Sequence, residues 1–138
     1  YAMGLGTPAQ LVELIARVVD MFDCVLPTRV ARNGTVFTRK GTYILKNAEN
    51  KTNFLPLEEG CECFACQRFT RAYLRHLYIA QEILSIRMLS VHNSYLFLKL
   101  MAEVRAAIAN GTFAEFHREF VANYRPSQKV MLARAAAK

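Results

Sequence analysis

The sequence predicts an α/β chain: a strand–helix–strand unit, then a small antiparallel hairpin, then helices. Three observations lead there. A helix with a full start signal precedes a short apolar run closed by proline. A second stretch alternates apolar and polar residues around Arg39-Lys40-Gly41, and beyond residue 67 apolar residues recur at helical spacing.

The first helix is expected over Thr7 to Val19. Thr7 is its N-cap, Pro8 takes the first helical position, where a missing N–H costs nothing, and Gln10 completes a capping box. Leu11, Leu14, Ile15 and Val18 then repeat at helical spacing, which predicts one buried face. Met21-Phe22-Asp23-Cys24-Val25-Leu26, closed by Pro27, reads as a strand buried on both faces, as in parallel sheets. Tyr1-Ala2-Met3-Gly4 reads as the tail of another strand, giving a βαβ unit cut at its start.

Val36-Phe37-Thr38, the turn at Arg39-Lys40-Gly41 and Thr42-Tyr43-Ile44-Leu45 read as a hairpin. Asn47 to Gly60 is a polar loop. Helices are expected from Gln67 to about Leu89, in one or two pieces, and from Ser94 to Ala109, with Leu96, Leu100, Val104, Ala107 and Ile108 along a face. Asn110-Gly111 ends that helix. Thr112 and Glu115 form another capping box, and Phe113, Phe116, Phe120 and Tyr124 make an aromatic stripe whose spacing predicts core packing. Residues 126–138 are rich in Ala and Lys with little apolar periodicity and are expected to fray.

The chain has 138 residues, 53% of them hydrophobic, and a net charge of +7. A domain near this length buries roughly 70% of its unfolded surface, so a real core is within reach. No stretch approaches the roughly 20 apolar residues needed to span a bilayer, and the N-terminus lacks the layout of a secretory signal. The expectation is a soluble, cytoplasmic protein with no membrane partner. From Cys24 to Asn53, six cations (Arg29, Arg32, Arg39, Lys40, Lys46, Lys51) face Glu49 alone. Such a stretch suits either a polyanion or a solvated surface.

Three features carry chemistry. Asp23 is a carboxylate amid apolar residues near the end of a strand, where burial without a partner is costly and where α/β enzymes gather reacting groups. Cys61-x-Cys63-x-x-Cys66 crowds three soft donors into six residues, a spacing that favours metal ligation over crosslinking. His76, His92 and His117 all lie downstream, and spacing alone does not choose a fourth ligand among them. An unbroken helix from Gln67 to Leu89 would carry the chain about 33 Å away, so His92 ligates only if the chain doubles back. Finally, Arg29 and Arg32 follow the aspartate, and their guanidinium forks suit phosphates and base edges.

Taken in order, Tyr1-Ala2-Met3-Gly4-Leu5-Gly6-Thr7-Pro8, Met21 to Arg29 with Arg32-Asn33-Gly34, the Cys-x-Cys-x-x-Cys run followed by Thr70-Arg71-Ala72-Tyr73, and Val91-His92-Asn93 resemble the tRNA-guanine transglycosylases. The resemblance implies the C-terminal part of a TIM (β/α)8 barrel enzyme, with a small antiparallel hairpin and a zinc-binding helical subdomain inserted. It divides the chain into the last barrel strand–helix–strand with its catalytic loop (1–34), the hairpin and loop (35–60), the zinc subdomain (61–92), C-terminal helices (93–125) and the tail. It implies Asp23 as nucleophile, Met3 and Gly4 at the bound base, Arg29 and Arg32 on RNA, and structural Zn2+ on Cys61, Cys63, Cys66 and His92. The implied partners are the tRNA anticodon loop, guanine and a 7-deazaguanine base, with a homodimer in the full-length protein. About six barrel strands and a second catalytic aspartate have no counterpart here, so the chain alone is expected to be inactive. The alternative is a non-catalytic, zinc-stabilised module that docks tRNA for a partner.

Overall fold

In the computed structural model, residues 1–125 are described; the fraying expected of residues 126–138 lies outside them. Strand β1 (Ala2–Met3) leads into helix α1 (Pro8–Ile15), strand β2 (Phe22–Asp23) and helix α2 (Leu26–Ala31). The hairpin β3 (Thr35–Thr38) and β4 (Gly41–Ile44) follows, then a 3-10 turn (Ala48–Asn50) and helices α3 (Phe64–Arg68), α4 (Arg71–Ile79), α5 (Ile83–Ala109) and α6 (Phe113–Asn123).

β1 and β2 pair in parallel, Ala2 beside Phe22 and Met3 beside Asp23, with α1 as the crossover. The capping box on α1 forms as the sequence predicts: the Thr7 hydroxyl accepts from Gln10 N at 3.2 Å and the Gln10 side chain accepts from Thr7 N at 3.0 Å. The helix is shorter than expected. It stops at Ile15, and Val18, placed by periodicity on the buried face, is 84% exposed with φ at +67°. A β-branched side chain is strained there, because its Cβ crowds the carbonyl. Val18→Gly is therefore expected to raise stability by about 1 kcal/mol, read as a higher urea midpoint.

The strand buried on both faces is also corrected. Only Phe22 and Asp23 pair as β structure, while Met21 and Val25 are 59% and 68% exposed, because a two-stranded sheet leaves both outer edges and most of its faces uncovered. Leu26 and Pro27, read as the strand's close, begin α2 instead. Proline fits that first turn because its absent N–H would have no helical partner.

The hairpin forms, with a tighter turn than expected: Gly41, read as part of the turn, instead begins β4 opposite Thr38, and Thr35 lies opposite Ile44, so Arg39-Lys40 alone make the turn. Behind it runs α5, a helix about 40 Å long that serves two cores. Toward its N-terminus, Leu89 packs with Leu45, Leu57, Leu74 and Ala31; toward its C-terminus, Leu100 and Val104 meet Val12 of α1 and Phe113, Phe116 and Phe120 of α6. The aromatic stripe is core packing as expected, with Phe113, Phe116, Phe120 and Tyr124 stacked ring on ring.

The helical stretch after Gln67 breaks, as ligation by His92 requires, while the boundary near Leu89 and the second capping box differ from expectation. The chain doubles back at Ala80 to Glu82, where Gln81 takes φ +60° and Glu82 N bonds the Leu77 carbonyl at 2.9 Å. No break follows near Leu89, because α5 runs on through Ser94. The second capping box does not form. Thr112 N and its hydroxyl both turn to the Ala107 carbonyl, at 2.8 and 3.4 Å, closing α5 rather than opening α6. Ile108, expected on the apolar face, is 53% exposed.

Candidate metal centre and the edge of the parallel strands

The three cysteines lie where the loop after β4 enters α3. Cys63 is the N-cap of that short helix, its sulfur accepting from Cys66 N at 3.4 Å, so the local turn needed to start α3 also brings the thiols together. Because the chain reverses between α4 and α5, the middle of α5 returns to this loop. His92, fully buried, then aims Nδ1 at Cys61, Cys63 and Cys66, whose sulfurs lie 3.7, 3.5 and 3.4 Å away.

These distances fit a bound ion. Metal–sulfur bonds of about 2.3 Å and a metal–nitrogen bond of about 2.05 Å, meeting at a tetrahedral angle, hold sulfur and nitrogen about 3.6 Å apart. All four donor atoms lie within 4.8 Å of one another. The other ring nitrogen, Nε2, donates to the Phe37 carbonyl at 2.8 Å. That bond selects the tautomer whose lone pair on Nδ1 faces the sulfurs, the usual way a second partner orients a ligating histidine. Cys61, Cys63, Cys66 and His92 are thus positioned to bind a metal ion, and the fourth ligand left open by spacing is decided by the fold.

Without a cation the cluster favours a proton in its place. Burial works against charge on His92, but bonds to Cys61 and Cys63 and to the Phe37 carbonyl outweigh it and lift the imidazole to about 10. The hydrogen bond from Cys66 lowers Cys63, against burial and with help from His92; Cys66 is raised by the same bond and by burial. A divalent ion would displace those protons and take over their role.

Asn93, the next residue, was not singled out as a functional position. Its side chain is fully buried and fully used: Oδ1 accepts from Phe37 N at 3.0 Å, while Nδ2 donates to the Pro27 carbonyl at 3.0 Å and the Thr35 carbonyl at 3.1 Å. Adjacent residues of α5 therefore hold both the cysteine cluster and the start of α2. The available signal was an amide beside the candidate histidine on an apolar helix. Asn93→Leu is expected to lower stability by about 3 kcal/mol, measured by chemical denaturation, because it strands a buried N–H and two carbonyls.

At the other end, the β1–β2 register sets Met3 beside Asp23, and Gly4 N donates to the Asp23 carbonyl at 3.0 Å. Gly4 has φ +70°, and a side chain there would meet nothing within 4 Å. Asp23 is exposed, which corrects the expectation of a desolvated carboxylate: the residues flanking it in sequence do not close over it in this two-stranded sheet. Its Oδ1 accepts from the Tyr1 hydroxyl, whose pKa is raised by that bond first, then by burial and by the charge of Asp23. The sequence places Tyr1 in a strand and in the motif that carries the resemblance, without a role at the site. Arg29 and Arg32 are exposed on α2 and at its C-cap, the element that follows β2.

Residues 1–126 match the family described as Queuine tRNA-ribosyltransferase. The chain belongs to that family. A relative of that name from Symbiobacterium thermophilum is 50% identical over 137 residues, covering 99% of this chain and 34% of its own length. Others from Pelotomaculum thermopropionicum and Caldanaerobacter subterraneus subsp. tengcongensis are each 52% identical over 90% of this chain, covering 34% and 33% of their own lengths. The chain thus spans about a third of the length of the curated relatives it matches. Among the described residues, no helix is long and apolar enough to cross a membrane.

Proposed function

We propose that the complete protein is a cytoplasmic tRNA-guanine transglycosylase that exchanges the wobble guanine of tRNA for a 7-deazaguanine base, with Asp23 as its nucleophile. The observation that carries this reading is the parallel register that sets Met3 and Gly4 directly beside Asp23, at the C-terminal ends of two strands, in a chain of this family. Reacting groups gather at that end of parallel strands. In this reading residues 1–34 are the closing strands of a (β/α)8 barrel, and this chain alone is inactive.

The carboxylate of Asp23 attacks the ribose carbon of the target nucleoside. The glycosidic bond breaks, and guanine leaves with the bonding electrons and takes up a proton. The incoming base then attacks the same carbon through its ring nitrogen, which gives up its proton, and the carboxylate leaves, so two inversions preserve configuration. A carboxylate also stabilises the positive charge that develops on the ribose before bonding to it. Tyr1 holds one Asp23 oxygen and leaves the other to react. Met3 covers one face of the base, and Gly4, with open space where a side chain would stand, lets the base approach the backbone. Arg29 and Arg32 take phosphates of the anticodon loop, from which the target nucleotide must be drawn out of its stack.

Zn2+ is the ion proposed for Cys61, Cys63, Cys66 and His92: a soft Cys3His set suits it, and four protein ligands leave no position for water, so it holds structure rather than reacting. The full-length protein is read as a homodimer. The test is incorporation of labelled guanine into unmodified tRNA by the full-length protein. Exchange supports the reading; no exchange sinks it in favour of a non-catalytic tRNA-docking module.

A further inference from the structure

We propose that Lys46, Lys51 and Arg75 form a cationic ridge that grips the phosphate backbone of bound RNA beyond the reacting nucleotide, extending the surface begun by Arg29 and Arg32. The proposal rests on the RNA-modifying reading above.

Three separate segments converge to build this ridge. Gly34 O accepts from Leu45 N at 2.8 Å, which joins the end of α2 to the end of β4 and brings Arg32 and Lys46 to neighbouring backbone. The Tyr78 hydroxyl donates to the Arg32 carbonyl at 3.2 Å, and its ring lies so close to Gly34 that a Cβ there would meet it at 3.0 Å. One turn earlier on α4, Arg75 donates through Nε to the carbonyls of Lys46 and Asn47, both at 3.0 Å. Asn50, 1% exposed, locks the following turn by donating to the carbonyls of Ile44 and Leu45, each at 3.2 Å, and so fixes Lys51 just beyond it.

Among the described residues, the charges on this face are in no ion pair. Among the described residues, Arg17, Arg39 and Lys99 are in ion pairs with Glu13, Glu103 and Glu62, whereas Arg29, Arg32, Lys46, Lys51 and Arg75 are in none. Arg75 spends Nε on the fold, and its terminal nitrogens make no hydrogen bond among the described residues. A guanidinium anchored at one edge and open at the other is prepared for a phosphate. Glu49 is the one carboxylate in residues 24–53. Continuity with the helix that carries Arg29 selects RNA over an acidic protein as the occupant, and an extended row of cations suits a regularly charged strand.

The experiment is a titration of full-length protein with unmodified tRNA between 50 and 200 mM salt, comparing the parent with a Lys46→Gln, Lys51→Gln double variant. Neither lysine side chain hydrogen-bonds among the described residues, so melting temperature and metal content should match the parent. The ridge predicts about tenfold weaker binding at the low-salt end and a slope of log K against log salt reduced by about 1.6, for two lost phosphate contacts. Unchanged affinity and slope, in a parent that binds tRNA and exchanges guanine, overturn the ridge alone and leave an acidic protein as its partner. A parent that does not bind tRNA overturns both readings.

Discussion

Cys63→Ser is expected to abolish metal retention and to cost this chain at least about 4 kcal/mol of stability. Apparent binding free energies of structural zinc sites run to about 10–16 kcal/mol, and removing a ligand forfeits a large part of that. Here the loss spreads, because the four donors tie the loop before α3, α3 itself and the middle of α5, with His92 reaching on to β3 through the Phe37 carbonyl. Cys63 is 2% exposed and its sulfur also caps α3, so the altered group has no route to solvent. The check is elemental analysis together with thermal unfolding in the presence and absence of a chelator. Cys24→Ser serves as the control: its sulfur only accepts from Leu26 N, a bond a hydroxyl can replace, and it should shift stability by less than about 1 kcal/mol. A chelator-insensitive parent, unfolding at the same temperature as Cys63→Ser, would remove the metal assignment.

Asp23→Asn in the full-length protein is expected to lower guanine exchange by at least about 10⁴-fold, on the scale seen when a nucleophile is lost from an enzyme that depends on it. That is more than about 5 kcal/mol of transition-state stabilisation. An amide has no negative charge to offer an oxocarbenium-like ribose and forms no ester with it. Because Asn matches Asp in shape and its side-chain oxygen can still accept from the Tyr1 hydroxyl, the fold should survive the change. Two readouts separate chemistry from binding: a covalent RNA adduct, trapped under denaturing conditions, should form with the parent and not with the variant, while tRNA affinity should change little. Exchange that persists in the variant would assign the nucleophile elsewhere.

What could be read before folding was local. The Thr7 capping box, the Arg39-Lys40 hairpin and the Asn110-Gly111 helix stop depend on residues within one turn of each other, and all three form as their sequence dictates. The cysteine cluster was legible for the same reason. The stripe from Phe113 to Tyr124 was legible because helical period alone decides which residues share a face.

Other features depended on distant neighbours. Periodicity could not end α1 at Ile15 or expose Val18, because burial is set by what packs against a face, not by the face itself. The apolar run around Asp23 predicted a covered strand, yet coverage requires neighbouring strands and helices that no six-residue pattern encodes. Thr112 carried a capping signal that the Ala107 carbonyl outcompeted. The sequence by itself determined that three thiols and an aspartate stand ready for chemistry. Spacing left the fourth ligand open and the resemblance implied His92; the tertiary structure decided for it over His76 and His117 and showed that Asn93 clamps α2 beside it. The reason is the reversal at Gln81, which brings residues some thirty positions apart within reach of one ion.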